Sequence, residues 1–328
     1  MTNYSAIRGF GHYLPERVLD NHYFEKIVDT NDEWIRSRTG IVTRHFTMEG
    51  ETASTMAVEA AKKALADAEM SPEDIDLILV GTVTGDMRYP STATLVHKAL
   101  GISKPIPSMD LQAACAGFVY ATSIADSFIK AGVYKNILVV GVENLSKFTD
   151  MQDRNTCVLF GDGAGAVVVS ASDEPGILGF HLAADGNYSH LIEFPADGSK
   201  NPTTEETLKK RMHYTTMEGQ ETYKQAVKDM TSAAQVVLGR LEMTVDDVAW
   251  LVPHQANIRI IKSVATRLKI SMDKVYTNVD RVGNTSAASV PIALSELNRD
   301  KKIKKGDIVV LSALGSGLTW GALVFKQI

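Results

Sequence analysis

The sequence predicts an α/β protein built from two similar halves, and three observations carry that expectation. Short apolar runs such as "IDLILVGTV", "NILVVGV" and "DIVVLSALG" alternate with amphipathic helical spacing, the pattern of buried strands joined by helices. A helix–turn–strand unit starting at Glu59, "EAAKKALADAEMSPEDIDLILVG", returns 173 positions later at Ser232 as "SAAQVVLGRLEMTVDDVAWLVPH". At that offset Ala60, Ala61, Leu65, Glu69, Met70 and Asp74 meet Ala233, Ala234, Leu238, Glu242, Met243 and Asp247. A second unit follows in the same order. The helix after Cys115 leads through "IADSFIKAG" to "NILVVGVEN", and the helix after Ser286 leads through "LSELNRDKK" to "DIVVLSALG". Aligning Asn136 with Asp307 gives an offset of 171. Two such units predict a pseudo-dimer of βα halves, residues 1–175 and 176–328, with largely parallel sheets.

Taken along the chain, each element has a local reason. "MTNYSAIRGFGHYLPERV" lacks the charged start and long apolar centre of a signal peptide. "EAAKKALADAE" has helical apolar spacing, and "MSPED" supplies the turn before the first buried strand. "SMD" closes a strand, and "FVYATSIADSFIKAG" is helical again, so Cys115 falls at a strand-to-helix turn. "FGDGAGAVVV" invites a phosphate-loop reading, but its glycines do not fit G-x-G-x-x-G and strand-like residues follow, which favours close-packed scaffold. In the second half His254 directly follows a strand and precedes the amphipathic "NIRIIKSVATRLK". Asn284, in "DRVGNTSAASVPIAL", stands at another strand-to-helix turn.

Composition sets bounds. The hydrophobic fraction is 45%, net charge is −5, and the two cysteines lack paired spacing. These values fit a globular protein in a reducing cytosol and argue against a disulfide framework, a cysteine-based zinc site and bulk nucleic-acid binding. The apolar runs are less than half a membrane span. One local basic stretch departs from the acidic balance: Arg259, Lys262, Arg267 and Lys269 lie together without an acid.

Cys115 is the first candidate for chemistry. A free cysteine among small residues can be an inert core thiol. At a helix start, however, unpaired N–H groups and the helix dipole favour a thiolate. The dipole contributes up to ~2 kcal/mol, which takes a thiol from ~8.5 toward neutrality. Ala113, Ala114, Ala116 and Gly117 leave room for an acyl group. His254, at a strand's C-terminal end where α/β proteins collect their chemistry, is the candidate partner. Asn284 alone reads as a helix cap.

Together "AACAGF", "PHQAN" and "GNTSAASVPIAL" resemble the three active-site segments of the β-ketoacyl-[acyl-carrier-protein] synthase III family. The resemblance extends through "YLPERV", "DTNDEWIRSRTGI", "FGDGAGAVVV" and "GLTWGALV", nearly the whole chain. It implies the thiolase fold, two pseudo-twofold-related βα halves in an α-β-α-β-α sandwich. It also implies decarboxylative condensation of an acyl-CoA primer with malonyl-[acyl-carrier protein], the initiating step of type II fatty acid synthesis. By the resemblance Cys115 is the acylated nucleophile, and His254 and Asn284 stabilise charge during decarboxylation. The backbone N–H groups of Cys115 and Ser316 form an oxyanion hole. Trp34 and Arg154 sandwich the CoA adenine, while Arg38, Asn257 and Gly219 lie near phosphates and pantetheine. Tyr89 closes the acyl pocket of the partner subunit in a homodimer, and Leu314 lines the wall where phenylalanine is usual. Arg259, Lys262, Arg267 and Lys269 dock the carrier protein. No cofactor, metal, nucleic acid or membrane is implied, and a cytoplasmic setting follows.

Departures from other branches narrow the assignment. "ALGSGLTWG" lacks the second cysteine of thiolases, and Asn284 stands where elongating condensing enzymes have a histidine. The alternatives are a starter synthase of a polyketide, quinolone or hydrocarbon pathway, a papain-like cysteine hydrolase, and an inactive acyl-binding protein. Missing papain signatures and disulfides weigh against the hydrolase, and the complete Cys–His–Asn set weighs against the inactive binder.

Overall fold

The computed structural model describes residues 4–328. Among these, nine strands build two large sheets. In chain order they are β1 (Tyr4–Tyr13), β2 (Leu77–Gly81), β3 (Ser108–Leu111), β4 (Asn136–Glu143), β5 (Gly163–Ser172), β6 (Ile177–Ala184), β7 (Val248–Pro253), β8 (Ile308–Gly315) and β9 (Thr319–Lys326). The first sheet runs β1-β5-β4-β2-β3 and the second β7-β8-β9-β6. Six helices matter for the site: α1 (Asp32–Thr39), α2 (Ala53–Asp67), α3 (Gly117–Lys130), α4 (Gly219–Arg240), α5 (Ile258–Leu268) and α6 (Ser289–Arg299).

The layering follows from strand periodicity. Successive strand side chains face opposite ways, so Ile78 and Val80 enter an outer core under α2 while Leu77 and Leu79 enter the central one. In the second sheet Val309 and Leu311 face the centre and Val310 faces the outer core under α4. Helices α3 and α6 fill the space between the sheets, with Phe118, Val119, Ala293 and Leu294 fully buried there. The result is the five-layer α-β-α-β-α sandwich of the thiolase fold. Helix α6, from the C-terminal part of the chain, packs on β1 and β5 of the first sheet.

The duplication seen in the sequence recurs in the backbone. Glu69 and Glu242, 173 positions apart, both take left-handed φ values, +54° and +55°, after α2 and α4. Ser71–Asp74 and Thr244–Asp247 then form matching capping boxes before the next strand. Ala114 (φ +44°) and Ser286 (φ +48°) open equivalent single turns before α3 and α6.

The sheets are mixed, which corrects the expectation of largely parallel ones. Pairs β2–β3, β2–β4 and β7–β8 are parallel. Pairs β1–β5, β4–β5, β8–β9 and β6–β9 are antiparallel. The reason is connection length. Residues 316–318 alone join β8 to β9, a hairpin too short for a crossover helix. "FGDGAGAVVV" is close-packed scaffold: a Cβ on Gly165 would sit 2.6 Å from the backbone of Pro291 and Ile292 in α6. No helix among the described residues is long and apolar enough to cross a membrane.

Candidate active site

Three loops converge on one cavity of about 930 Å³, two of them at strand ends; the third, holding Asn284, follows the short helix Val279–Val282 rather than a strand, which corrects the expectation of a strand-to-helix turn there. Cys115 enters from the turn Ala114–Ala116 between β3 and α3, as its spacing predicts. His254 follows β7, its N–H donating to the Ser312 carbonyl at 2.8 Å. Asn284 is pinned on both sides: its N–H donates to Leu159 O at 2.9 Å and its carbonyl accepts from Gly161 N–H at 3.0 Å. Trp34, Arg38, Gly219, Asn257, Arg259 and Leu314 line the same cavity.

Electrostatics assign donors. Burial pushes the His254 imidazole down to about 3, so the ring is neutral near pH 7. Its Nδ1 lies 2.6 Å from the Ser289 hydroxyl, which also accepts from the Gln255 N–H at 3.4 Å. We take the Ser289 hydroxyl as the donor to Nδ1, which puts the ring proton on Nε2. The Asn284 Oδ1 accepts from Ser286 N–H at 2.9 Å, which leaves its Nδ2 to donate. The site thus offers two neutral side-chain donors beside a thiol.

The thiol itself differs from expectation. Burial pushes Cys115 up to about 12, eased by the Ser286 hydroxyl and reinforced by Glu143. Desolvation thus works against the thiolate, while the Ser286 hydroxyl and the Cys115 backbone N–H work for it. Cys157, the other cysteine, is fully buried outside the cavity lining.

Four residues around the site escaped sequence reasoning. Gly315 ends β8 against the nucleophile turn, where an added Cβ would lie 2.5 Å from Cys115 N and 2.8 Å from Ala113 O. Its signal was the glycine-rich "ALGSGLTWG". Ser289 and Ser286 were hidden in a run of small polar residues, and Glu143 at the end of an apolar strand. Ser316, next to Gly315, is fixed by its hydroxyl donating to Ile192 O at 2.6 Å and its carbonyl accepting from Thr319 Oγ1 at 3.0 Å.

The recognition candidates take several places. The Arg154 guanidinium stacks 4.6 Å from the Trp34 ring centre and pairs with Asp29 at 3.6 Å, while Arg38 lies 5.7 Å from the same ring. Helix α1 is capped by Asn31, whose side chain accepts from the Trp34 N–H. Asn257 caps α5 through Oδ1, accepting from Ile260 N–H at 2.9 Å. Gly219 opens α4, and a Cβ there would meet nothing within 4 Å. Arg259, Lys262 and Arg267 are exposed on α5, with Lys269 exposed just beyond it. Tyr89 is 83% exposed and lies outside the lining of this chain's cavity. Among the described residues no group of three His, Cys, Asp or Glu side chains is placed to hold a metal.

The chain is similar to known proteins over nearly its whole length. The profile "3-Oxoacyl-[acyl-carrier-protein (ACP)] synthase III" matches residues 109–186, and its C-terminal counterpart matches residues 238–327. A β-ketoacyl-[acyl-carrier-protein] synthase III of Caldanaerobacter subterraneus subsp. tengcongensis is 50% identical, over 98% of this chain and 97% of its own. One from Clostridioides difficile is 48% identical over 99% of both chains. The crystal structure of 3-oxoacyl-[acyl-carrier-protein] synthase III from Aquifex aeolicus VF5 superposes with a TM-score of 0.91 at 46% identity, covering 98% of this chain and 99% of that one. With the fold and these near-full-length matches in agreement, the chain belongs to the β-ketoacyl-[acyl-carrier-protein] synthase III family.

Proposed function

We propose that this enzyme condenses a short acyl-CoA primer with malonyl-[acyl-carrier protein], releasing CoA and carbon dioxide and forming 3-oxoacyl-[acyl-carrier protein]. The observation that carries the proposal is that Cys115, His254 and Asn284 line one cavity, with Asn284 Nδ2 free to donate and His254 assigned a donor at Nε2. Cys115 attacks the primer thioester and holds the acyl group while CoA leaves, the covalent half of a ping-pong cycle. Backbone N–H groups of Cys115 and Ser316 receive the oxyanion of that step. Malonyl thioester then loses carbon dioxide, and negative charge develops on its thioester oxygen. Neutral donors stabilise that charge without protonating the carbanion, and each is worth ~2.7–4 kcal/mol. A charged imidazolium would be an acid beside the carbanion, so a His254 that stays neutral suits the task.

Recognition follows the same elements. Trp34 and Arg154 take the CoA adenine between them, which lifts the guanidinium from its 4.6 Å stack to about 7 Å, two aromatic contact distances. Arg38, Asn257 and Gly219 meet the phosphates and pantetheine. Arg259, Lys262, Arg267 and Lys269 form the docking face for the acidic carrier protein. Tyr89, exposed in the single chain, closes the acyl pocket of a second copy in a homodimer. The reaction uses no cofactor, and the cytoplasm is its setting.

The test is a balance of products from purified enzyme, acetyl-CoA and malonyl-[acyl-carrier protein]. Equal release of CoA, carbon dioxide and 3-oxoacyl product supports the reading. Release of CoA with free acetate and no carbon dioxide overturns it in favour of hydrolysis.

A further inference from the structure

Behind Asn284 lies a buried arginine that the condensation scheme leaves unused. Arg44 belongs to the short strand Thr43–Phe46 and is fully buried, outside the lining of the cavity. Its acceptors are neutral groups. Nη1 donates to Asn21 Oδ1 at 2.8 Å, with a longer contact to Leu19 O at 3.5 Å, and Nη2 donates to Val158 O at 2.5 Å. The guanidinium stacks 4.4 Å from the Phe24 ring centre, and Nε has no hydrogen-bond partner among the described residues. Asn21 is itself fixed, donating to Asp32 Oδ1 at 2.8 Å and to Ile41 O at 2.9 Å. One end of the guanidinium fork is thus anchored, and the other holds the Val158 carbonyl. Burial lowers Arg44 to about 10, which leaves it a cation near pH 7. Burying a cation on neutral partners is costly.

The held carbonyl leads directly to Asn284. Val158 precedes Leu159, whose carbonyl accepts the Asn284 N–H at 2.9 Å, and the Gly161 N–H donates to the Asn284 carbonyl at 3.0 Å. Two glycines let these segments close on the Arg44 stem. A Cβ on Gly161 would lie 3.2 Å from the Arg44 Cβ, and one on Gly283 would lie 3.0 Å from it, where ordinary contact begins at 3.4 Å. The backbone beside Arg44 grips the same segments. Val42 N–H donates to Asp280 O, Thr43 Oγ1 to Arg281 O and Asp162 N–H to His45 O, each at 2.8 Å. Residues 158–162 and 280–284 are thus docked together on the strand that carries Arg44.

We propose that Arg44 positions the Asn284 amide for the decarboxylation step. The proposal rests on Asn284 being a donor to the malonyl thioester oxygen. Arg44 touches no reacting atom; it is a positioning residue that acts through the Val158 carbonyl and the peptide after it. A hydrogen bond from a cation is shorter and stronger than a neutral one, so the fork fixes Val158 firmly. Leu159 O is then presented to Asn284 N–H from a rigid neighbour. The other two site residues are held elsewhere. His254 N–H donates to Ser312 O on β8, and the Cys115 turn lies against Gly315. Arg44 accordingly governs condensation and leaves acylation alone.

The experiment separates the two half-reactions in Arg44→Met and Arg44→Lys. The CoA burst from acetyl-CoA alone reads acylation, and carbon dioxide release with malonyl-[acyl-carrier protein] reads condensation. Arg44→Met keeps an unbranched stem without the fork. Its condensation should fall about 10²-fold, the cost of a displacement of about 1 Å, with the burst within threefold of wild type. Arg44→Lys keeps the charge but not the planar fork, so its condensation rate should lie between the two; it also covers a misfolded Met variant. In an Asn284→Ala background either change should cost less than threefold more, because the group being positioned is gone. A crystal structure of Arg44→Lys supplies a readout independent of activity: Asn284 Nδ2 should be displaced while Cys115 Sγ stays in place. A folded variant that condenses within threefold of wild type, or loses burst and condensation equally, overturns the proposal. So does a full additional loss in the Asn284→Ala background. If Asn284→Ala itself condenses at the wild-type rate, the donor role of Asn284 falls, while the crystal structure still decides whether Arg44 holds that side chain.

Discussion

Gly315→Ala tests how tightly β8 holds the nucleophile. The added Cβ would lie 2.5 Å from Cys115 N, 2.8 Å from Ala113 O and 2.9 Å from the Ala114 Cβ. Ordinary contact begins at 3.4 Å, so the backbone must open by about 0.9 Å. None of the three atoms is the tip of a flexible side chain, and rotamer changes cannot relieve the clash. Overpacking of this kind costs about 1–3 kcal/mol, which lowers the melting temperature by a few degrees in a protein of this size. The larger effect is on chemistry. A displacement of about 1 Å at a reacting group costs on the order of 10²-fold, so acylation should fall by that factor while the fold persists. The assay is the CoA burst with acetyl-CoA, beside a thermal melt. Gly239→Ala, in α4 with nothing within 4 Å of its added Cβ, is the control and should be neutral or slightly stabilising. A Gly315→Ala enzyme acylating within threefold of wild type would refute the claim that this contact positions the sulfur.

Three further outcomes follow from the site. His254→Ala and Asn284→Ala should each still acylate Cys115 but lose about 10²–10³ in condensation; loss of acylation in both folded variants contradicts that division of labour. His254 and His12 are held down to about 3 and about 4, mainly by burial. The unfolded chain therefore takes up protons first, and stability falls as pH drops below about 6.5, by up to about 5 kcal/mol for His254 alone. Denaturant titrations of wild type and His254→Gln should diverge between pH 6.5 and 4, and parallel curves would count against a buried neutral His254. If Tyr89 closes the acyl pocket across a dimer, wild type should prefer two- or three-carbon primers and Tyr89→Ala should accept longer ones. Each fitting methylene is worth about 1–3 kcal/mol. Wild-type preference for eight carbons or more, or an unchanged profile in the variant, refutes that role.

Much of this architecture is legible in the sequence because it is periodic. Helical and strand spacing marks α2, α3, β2, β4, β7 and β8 in outline, and the repeat marks the matching left-handed turns at Glu69 and Glu242. Strand direction was not legible, since an antiparallel partner such as β9 differs from a parallel one only in the length of the link before it. The placements of Cys115 and His254 were legible because turns after strands mark them, whereas Asn284 follows the short helix Val279–Val282, which its flanking residues did not reveal. Ser289, Ser286, Glu143 and Gly315 were not legible, because each acts through a contact between segments far apart in sequence. Ser286 and Glu143, for example, stand 143 residues apart and meet at 3.1 Å. The desolvation that raises the Cys115 thiol is not legible either: a helix start shows in the sequence, whereas desolvation depends on everything packed around the sulfur.

The most direct test of the central claim is mass spectrometry of the enzyme after mixing with acetyl-CoA in the absence of malonyl substrate. The account predicts one added acetyl group per chain, mapped by proteolysis to the peptide holding Cys115 and absent from Cys115→Ser. An acetyl group on Cys157 instead, or no covalent species in an enzyme that still turns over, would contradict it.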